Sequence, residues 1–92
     1  MSKNKEKDII EAIISIGKDK VLLDTFLEDL LTPAEYIEIK KRWEIVKMLN
    51  IGVNQHQIAK DLHVGIATVT RGSRALRDSR GGFKRVLKNH SN

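Results

Sequence analysis

Apolar residues return along this chain at intervals of three and four, separated by short polar breaks, and that spacing predicts a succession of short helices. From about Asp8 to Ile16, isoleucines stand at 9, 10, 13, 14 and 16 and cover more than one face of a helix. A helix apolar on two sides needs cover on two sides, and in so short a chain a partner subunit is the expected source. Gly17 ends that helix. Asp19 caps a second, running to Leu31, with Leu23, Phe26, Leu27 and Leu30 as a buried stripe widened by Val21, Leu22 and Leu31. Thr32-Pro33-Ala34-Glu35 opens a third. Threonine takes the N-cap, proline the first helical position, and glutamate closes a capping box. This helix is expected to reach Leu49 or Asn50, with Gly52 ending it. Ile39, Trp43 and Val46 form its seam, and Ile45 and Leu49 widen it.

The stretch from Asn54 to Leu76, NQHQIAKDLHVGIATVTRGSRAL, reads as two short helices joined by a tight turn. Asn54 can cap the first, with Gln57 reaching back to it. Ile58, Ala59 and Leu62 share its apolar face, and Ala59 is small where a second helix must cross. His63, Val64 and Gly65 suffice for a turn. The turn needs one residue with positive φ, and histidine at 63 is among the few non-glycine residues enriched there. The second helix starts near Ile66 and turns Val69, Gly72, Ala75 and Leu76 inward, leaving Ala67, Thr68, Thr70, Arg71 and Arg74 outward. A small, hydroxyl- and arginine-bearing outer face suits the major groove of DNA. Beyond it, Arg77 to Gly82 is expected to be basic and flexible, and Phe83, Val86 and Leu87 are spaced for one last amphipathic helix.

Charge sharpens that picture. Residues 53–92 carry Lys60, Arg71, Arg74, Arg77, Arg80, Lys84, Arg85 and Lys88 against Asp61 and Asp78, a net +6. Residues 1–52 hold the other nine bases and ten acids, a net −1. A polyanion-binding half is thus joined to a near-neutral scaffold. Ninety-two residues imply one domain, divided into a dimerisation core (1–52), a helix-turn-helix (53–76) and a basic C-terminal helix and tail (77–92). The chain has no cysteine, which excludes disulfide and thiol chemistry and fits a cytoplasmic setting. No apolar run approaches a membrane span, and no secretory apolar segment follows the charged start MSKNKEKD, whose residues are expected to fray. His56, His63 and His90 are scattered, with no metal-ligand cluster and no nucleophile beside a base, so neither an enzyme nor a metal or prosthetic cofactor is expected.

The run LTPAEYIEIKKRWEIVKML, followed by GIATVTRGSRAL, resembles the tryptophan repressor family, itself one of the reference cases of helix-turn-helix docking. The match runs from about Leu31 to Leu76 and is most specific from Gly65 to Ser73. The resemblance implies an all-α, intertwined homodimer of about six short helices per chain. It also implies L-tryptophan bound between the helix-turn-helix and the core, as a co-repressor that tilts the reading helices. Arg42 and Arg71 match the two arginines that sandwich the indole. Thr32 matches the threonine near the carboxylate, the carbonyls of Asp29 and Leu31 fall where the ammonium is held, and Gly72 lies where backbone passes close to the ligand. The departures are Ala75 in place of a serine near the ammonium, His63 for the turn glycine, Trp43 for a smaller aliphatic, and one residue fewer between Gly52 and Gln55.

The expectation is therefore a transcriptional repressor that binds a palindromic operator as a dimer. Gly65 opens its reading segment. Ile66, Ala67, Thr68 and Thr70 face bases, while Arg71, Arg74 and Lys60 mainly meet phosphates. Two alternatives stand beside it: a DNA-binding dimer of the same fold that does not sense tryptophan, and a protein-interaction module whose basic tail binds an acidic partner.

Overall fold

In a computed structural model, which describes residues 8–90, the chain forms six α-helices and no strand among those residues. They are α1 (Ile9–Ile16), α2 (Lys20–Leu30), α3 (Pro33–Asn50), α4 (Gln55–Leu62), α5 (Ile66–Arg77) and α6 (Gly82–His90). The all-α expectation is met. The fraying expected of the first residues, and the tail at Ser91-Asn92, lie outside the described residues.

Helix starts follow the caps read from sequence at Asp19 and Thr32, and Asp8 supplies a cap that was not read there. The carboxylates of Asp8 and Asp19 accept from the backbone N–H of Glu11 and Leu22 at 2.9 and 3.0 Å. At the head of α3 the capping box is reciprocal. Glu35 N–H donates to Thr32 Oγ1 at 3.1 Å, and Thr32 N–H donates to Glu35 Oε1 at 2.9 Å. Helix ends fall at Gly17 and Gly52, with φ of 66° and 93°, values that glycine adopts without Cβ strain.

The chain packs as two compact units, dividing between Tyr36 and Ile37. In the first, α1 and α2 pack together, and no residue of either is fully buried. Leu23, Phe26 and Leu27 are half-buried as expected of the α2 stripe, but Leu30 is 51% exposed and Val21 78%. Ile10 and Ile14 on α1 are 61% and 70% exposed. Tyr36, in the first turn of α3, ties that turn to α2 by donating its O–H to Asp24. That bond, with desolvation and the nearby charges of Asp24 and Glu28, pushes the phenol up to about 12.

The second unit has a closed core. Ile45 and Val46 of α3, Ile58 of α4, and Val69 and Leu76 of α5 are all buried. Met48, Leu49, Val53, Ala59, Leu62 and Val64 pack around Ile45, Ile58 and Val69. The α3 seam thus centres on Ile45 and Val46. Trp43 is half-buried, and Ile39, expected in the seam, is 45% exposed. The segment between α5 and α6, expected to be flexible, is a hydrogen-bonded turn. Gly81 N–H donates to the Asp78 carbonyl at 2.9 Å, and Arg80 N–H to the Asp78 carboxylate at 3.0 Å.

Candidate nucleic-acid interface and adjoining cavity

The α4–turn–α5 segment is built by local rules. Asn54 Oδ1 accepts from Gln57 N–H at 2.9 Å and starts α4. Gln57 does not reach back to Asn54 as the capping-box reading expected. Its side-chain amide donates forward to Asp61 Oδ1 at 2.6 Å. Helix α4 ends in a Schellman arrangement. His63 N–H donates to the Lys60 carbonyl at 3.4 Å, and Val64 N–H to the Ala59 carbonyl at 3.1 Å. His63 sits in the left-handed region, at φ 56° and ψ 49°, as the turn required. An L-residue there is strained, and glycine would relieve the strain while adding freedom to the unfolded chain. We therefore expect His63→Gly to stabilise the protein by about 0.5–1 kcal/mol, read as a higher urea midpoint at unchanged slope. A lower midpoint would show that the imidazole makes a compensating contact.

Gly65 is the N-cap of α5 and offers no side-chain cap bond. The first-turn residues Ile66, Ala67 and Thr68 are exposed, and the Thr68 N–H donates back to the Gly65 carbonyl at 3.1 Å. Arg71, Arg74 and Arg77 on α5, and Lys60 on α4, are also exposed, and none is ion-paired with a carboxylate among the described residues. Thr70 departs from the outward-facing expectation. It is half-buried, with its hydroxyl 3.0 Å from both Gln55 Oε1 and the Ile66 carbonyl. It ties α5 to the start of α4 rather than presenting a free hydroxyl.

On the flank of α5, residues 68, 71, 72 and 75 share one helical face. That face forms one wall of a cavity of about 110 Å³. Arg42, Ile45 and Val46 of α3 form the facing wall, and Phe83 of α6 completes the lining. Gly72 stands where α5 passes close to α3. A Cβ there would lie 3.1 Å from Ile45 Cγ2 and 3.7 Å from Leu49 Cδ1. Arg42 Nη2 donates to Glu38 Oε2 at 2.6 Å, an exposed i,i+4 pair that holds its guanidinium over one edge of α3. The Phe83 ring lies 6.1 Å from that of Trp43, tilted by 47°.

Three of the six residues singled out for a ligand, Arg42, Arg71 and Gly72, therefore line one cavity. Asp29, Leu31 and Thr32 belong to the first unit, at the junction of α2 and α3. There Leu31 caps α2, its N–H donating to the Leu27 carbonyl at 2.9 Å, and the Thr32 hydroxyl is engaged in the capping box. Sequence reasoning took Ile45 and Val46 as core only and missed two further cavity residues, Thr68 and Phe83. Thr68 was legible from its spacing of seven to Ala75, which puts both on one flank. Phe83 carried no signal, because only the packing of α6 on α5 and α3 brings it there.

The family model for the Trp repressor protein matches residues 5–91. The chain is 34% identical over 90 residues to a Trp operon repressor homolog of Chlamydia trachomatis serovar L2, covering 92% of this chain and 95% of that one. It is 36% identical over 77 residues to a Trp operon repressor homolog of Mannheimia succiniciproducens, covering 83% and 72%. With a Trp operon repressor homolog of Vibrio vulnificus it shares 46% identity over 55 residues, 59% of this chain and 54% of the other. No solved structure matches it significantly.

Proposed function

The chain belongs to the Trp repressor family of DNA-binding transcriptional regulators, and from that premise we propose that it represses transcription as a cytoplasmic homodimer on a palindromic operator, with L-tryptophan as co-repressor. The apolar residues left exposed on α1 and α2, Ile10, Ile14, Val21 and Leu30 among them, are the surface a second copy would cover. Twofold pairing would set two α5 helices about one DNA turn apart, roughly 34 Å. In each half-site Ile66, Ala67 and Thr68 would meet base edges. Arg71, Arg74 and Lys60, with the Gly65 end of α5, would meet phosphates. Thr70 supports this by fixing α5 against α4 through Gln55.

The observation that carries the effector reading is the shared flank of α5. Thr68, Arg71, Gly72 and Ala75 line the cavity, and Thr68 and Arg71 also belong to the proposed reading face. A ligand in that cavity would touch the reading helix itself, so it could bind one placement of that helix better than another. Such a difference is what a population shift requires. The chemistry suits a flat aromatic acid: guanidinium planes for the ring, positive charge for the carboxylate, apolar walls between. A tenfold gain in operator affinity requires only about 1.4 kcal/mol of preference for the DNA-competent state. Ala75 favours a second reading, a repressor of the same fold indifferent to tryptophan, because it offers no hydroxyl on the cavity wall.

Gel-shift titration of palindromic duplexes at fixed salt, with and without millimolar L-tryptophan, tests both. The proposal expects about tenfold or more tightening with ligand. Operator binding unchanged by ligand selects the second reading, and no duplex binding under any condition overturns both.

A further inference from the structure

Arg42 and Arg71 line the cavity from facing walls, and their charges are not in the same state. Arg42 donates from Nη2 to Glu38 Oε2 at 2.6 Å, a short charge-assisted bond, whereas Arg71 has no carboxylate partner among the described residues. Residues 38, 42, 45 and 46 fall on one face of α3, so Glu38 stands one turn before Arg42 on the face that reaches the cavity. A guanidinium is a rigid plane with N–H donors around its rim, and the bond to Glu38 uses one edge of that plane and not its face. The bond has two consequences. It narrows the range of a long, flexible side chain. It also compensates the positive charge of the α3 wall, while the α5 wall keeps that of Arg71.

We infer that Glu38 is a positioning residue that sets the charge preference of this cavity: by holding the Arg42 guanidinium and compensating its charge, it biases the cavity toward an aromatic zwitterion and against an aromatic acid that lacks an ammonium group. The inference rests on the effector reading above. Without Glu38, both guanidinium charges would act on the ligand. An anion would gain from each of them, whereas a zwitterion would gain at its carboxylate and lose at its ammonium group. With Glu38 in place the attraction for the anion weakens, and so does the repulsion of the ammonium group. A carboxylate is then directed to Arg71, and Arg42 offers its plane to the ring. The Glu38 charge acts across a helical turn and through solvent, so its effect is moderate and screened by salt.

The test uses the full chain and calorimetric titration without DNA. The probes are L-tryptophan and indole-3-propionate, which has the same ring and a carboxylate but no ammonium group. The quantity read is the ratio of the two affinities, which a general loss of packing would leave unmoved. Glu38→Gln keeps an acceptor for Arg42 and removes the charge, and it is expected to shift the ratio about two- to fivefold toward indole-3-propionate. The shift should shrink as salt is raised. Glu38→Asp keeps the charge and should hold the ratio near that of the unsubstituted protein. Glu44→Gln is the control, because Glu44 pairs with Lys47 at 2.7 Å and lies off the face that Glu38 and Arg42 share. A ratio that does not move in Glu38→Gln, or that moves as far in Glu44→Gln, overturns the inference while the effector reading stands. Failure of the unsubstituted protein to bind either probe at millimolar concentration overturns that reading and the inference with it.

Discussion

Ile58→Ala is expected to cost about 2–5 kcal/mol of stability, the largest loss of any single truncation in the helix-turn-helix. Ile58 has no exposed surface, and it sits where α4 meets Ile45 of α3 and Val69 of α5. Truncation removes three methyl or methylene groups from a site closed on all sides. The walls belong to three different helices and cannot all relax into the void. Alanine's better helix propensity in α4 returns only about half a kcal/mol. A chain of this size has roughly 5–10 kcal/mol in total, and the core it relies on in this unit is five residues. The substitution therefore removes about a fifth or more of the margin. Urea unfolding followed by far-UV circular dichroism measures it. Ile66→Ala is the control, because Ile66 is 42% exposed at the head of α5 and its truncation should cost under about 1 kcal/mol. Equal losses at the two positions would mean that the core does not centre on Ile58.

What could be read ahead of the structure was whatever depends on near neighbours in the chain. Asp19, Asn54 and the Thr32–Glu35 box satisfy backbone N–H groups within three residues, so their chemistry is complete in the sequence. His63 could be placed at positive φ because a three-residue turn leaves few backbone solutions. Ile58, Val69 and Leu76 followed from helical spacing. Spacing says which side chains share a face, not what covers it. Hence Leu30 and Ile39 are exposed where a stripe was expected to be buried. Hydrogen-bond choice was equally illegible. Gln57 had a backward partner in Asn54 and a forward one in Asp61, and it takes the forward one. Thr70 could face solvent or Gln55, and the crossing of two helices decides for Gln55. The cavity divides by another rule. Arg71 and Gly72 were placed beside a ligand, and Ala75 marked as a departure there, through the family resemblance, whereas Phe83 stands eleven residues past Gly72, outside the matching stretch, and could be placed only by tertiary packing.

Arg71 is the residue on which the proposed sensing and reading functions converge, and its truncation has the largest expected functional effect. It lines the cavity, is exposed on α5, and has no carboxylate partner among the described residues. Arg71→Ala removes a guanidinium plane from the proposed indole site and a positive charge from the carboxylate's surroundings. A partly desolvated cation–π contact alone is worth about 1–2 kcal/mol, so L-tryptophan affinity is expected to fall about five- to thirtyfold by calorimetry in the absence of DNA. On DNA the same substitution removes a proposed phosphate contact, and each such loss lowers the slope of log affinity against log salt by about 0.9. Arg71→Lys separates the two roles. Lysine keeps the charge, so the salt slope should stay near that of the unsubstituted protein. It lacks the planar fork that stacks on a ring, so L-tryptophan affinity should still fall by most of the alanine effect. Full ligand affinity in Arg71→Lys would mean that the cavity recognises charge and not an aromatic face. An unchanged salt slope in Arg71→Ala would remove Arg71 from the DNA contacts and leave the cavity as its single role.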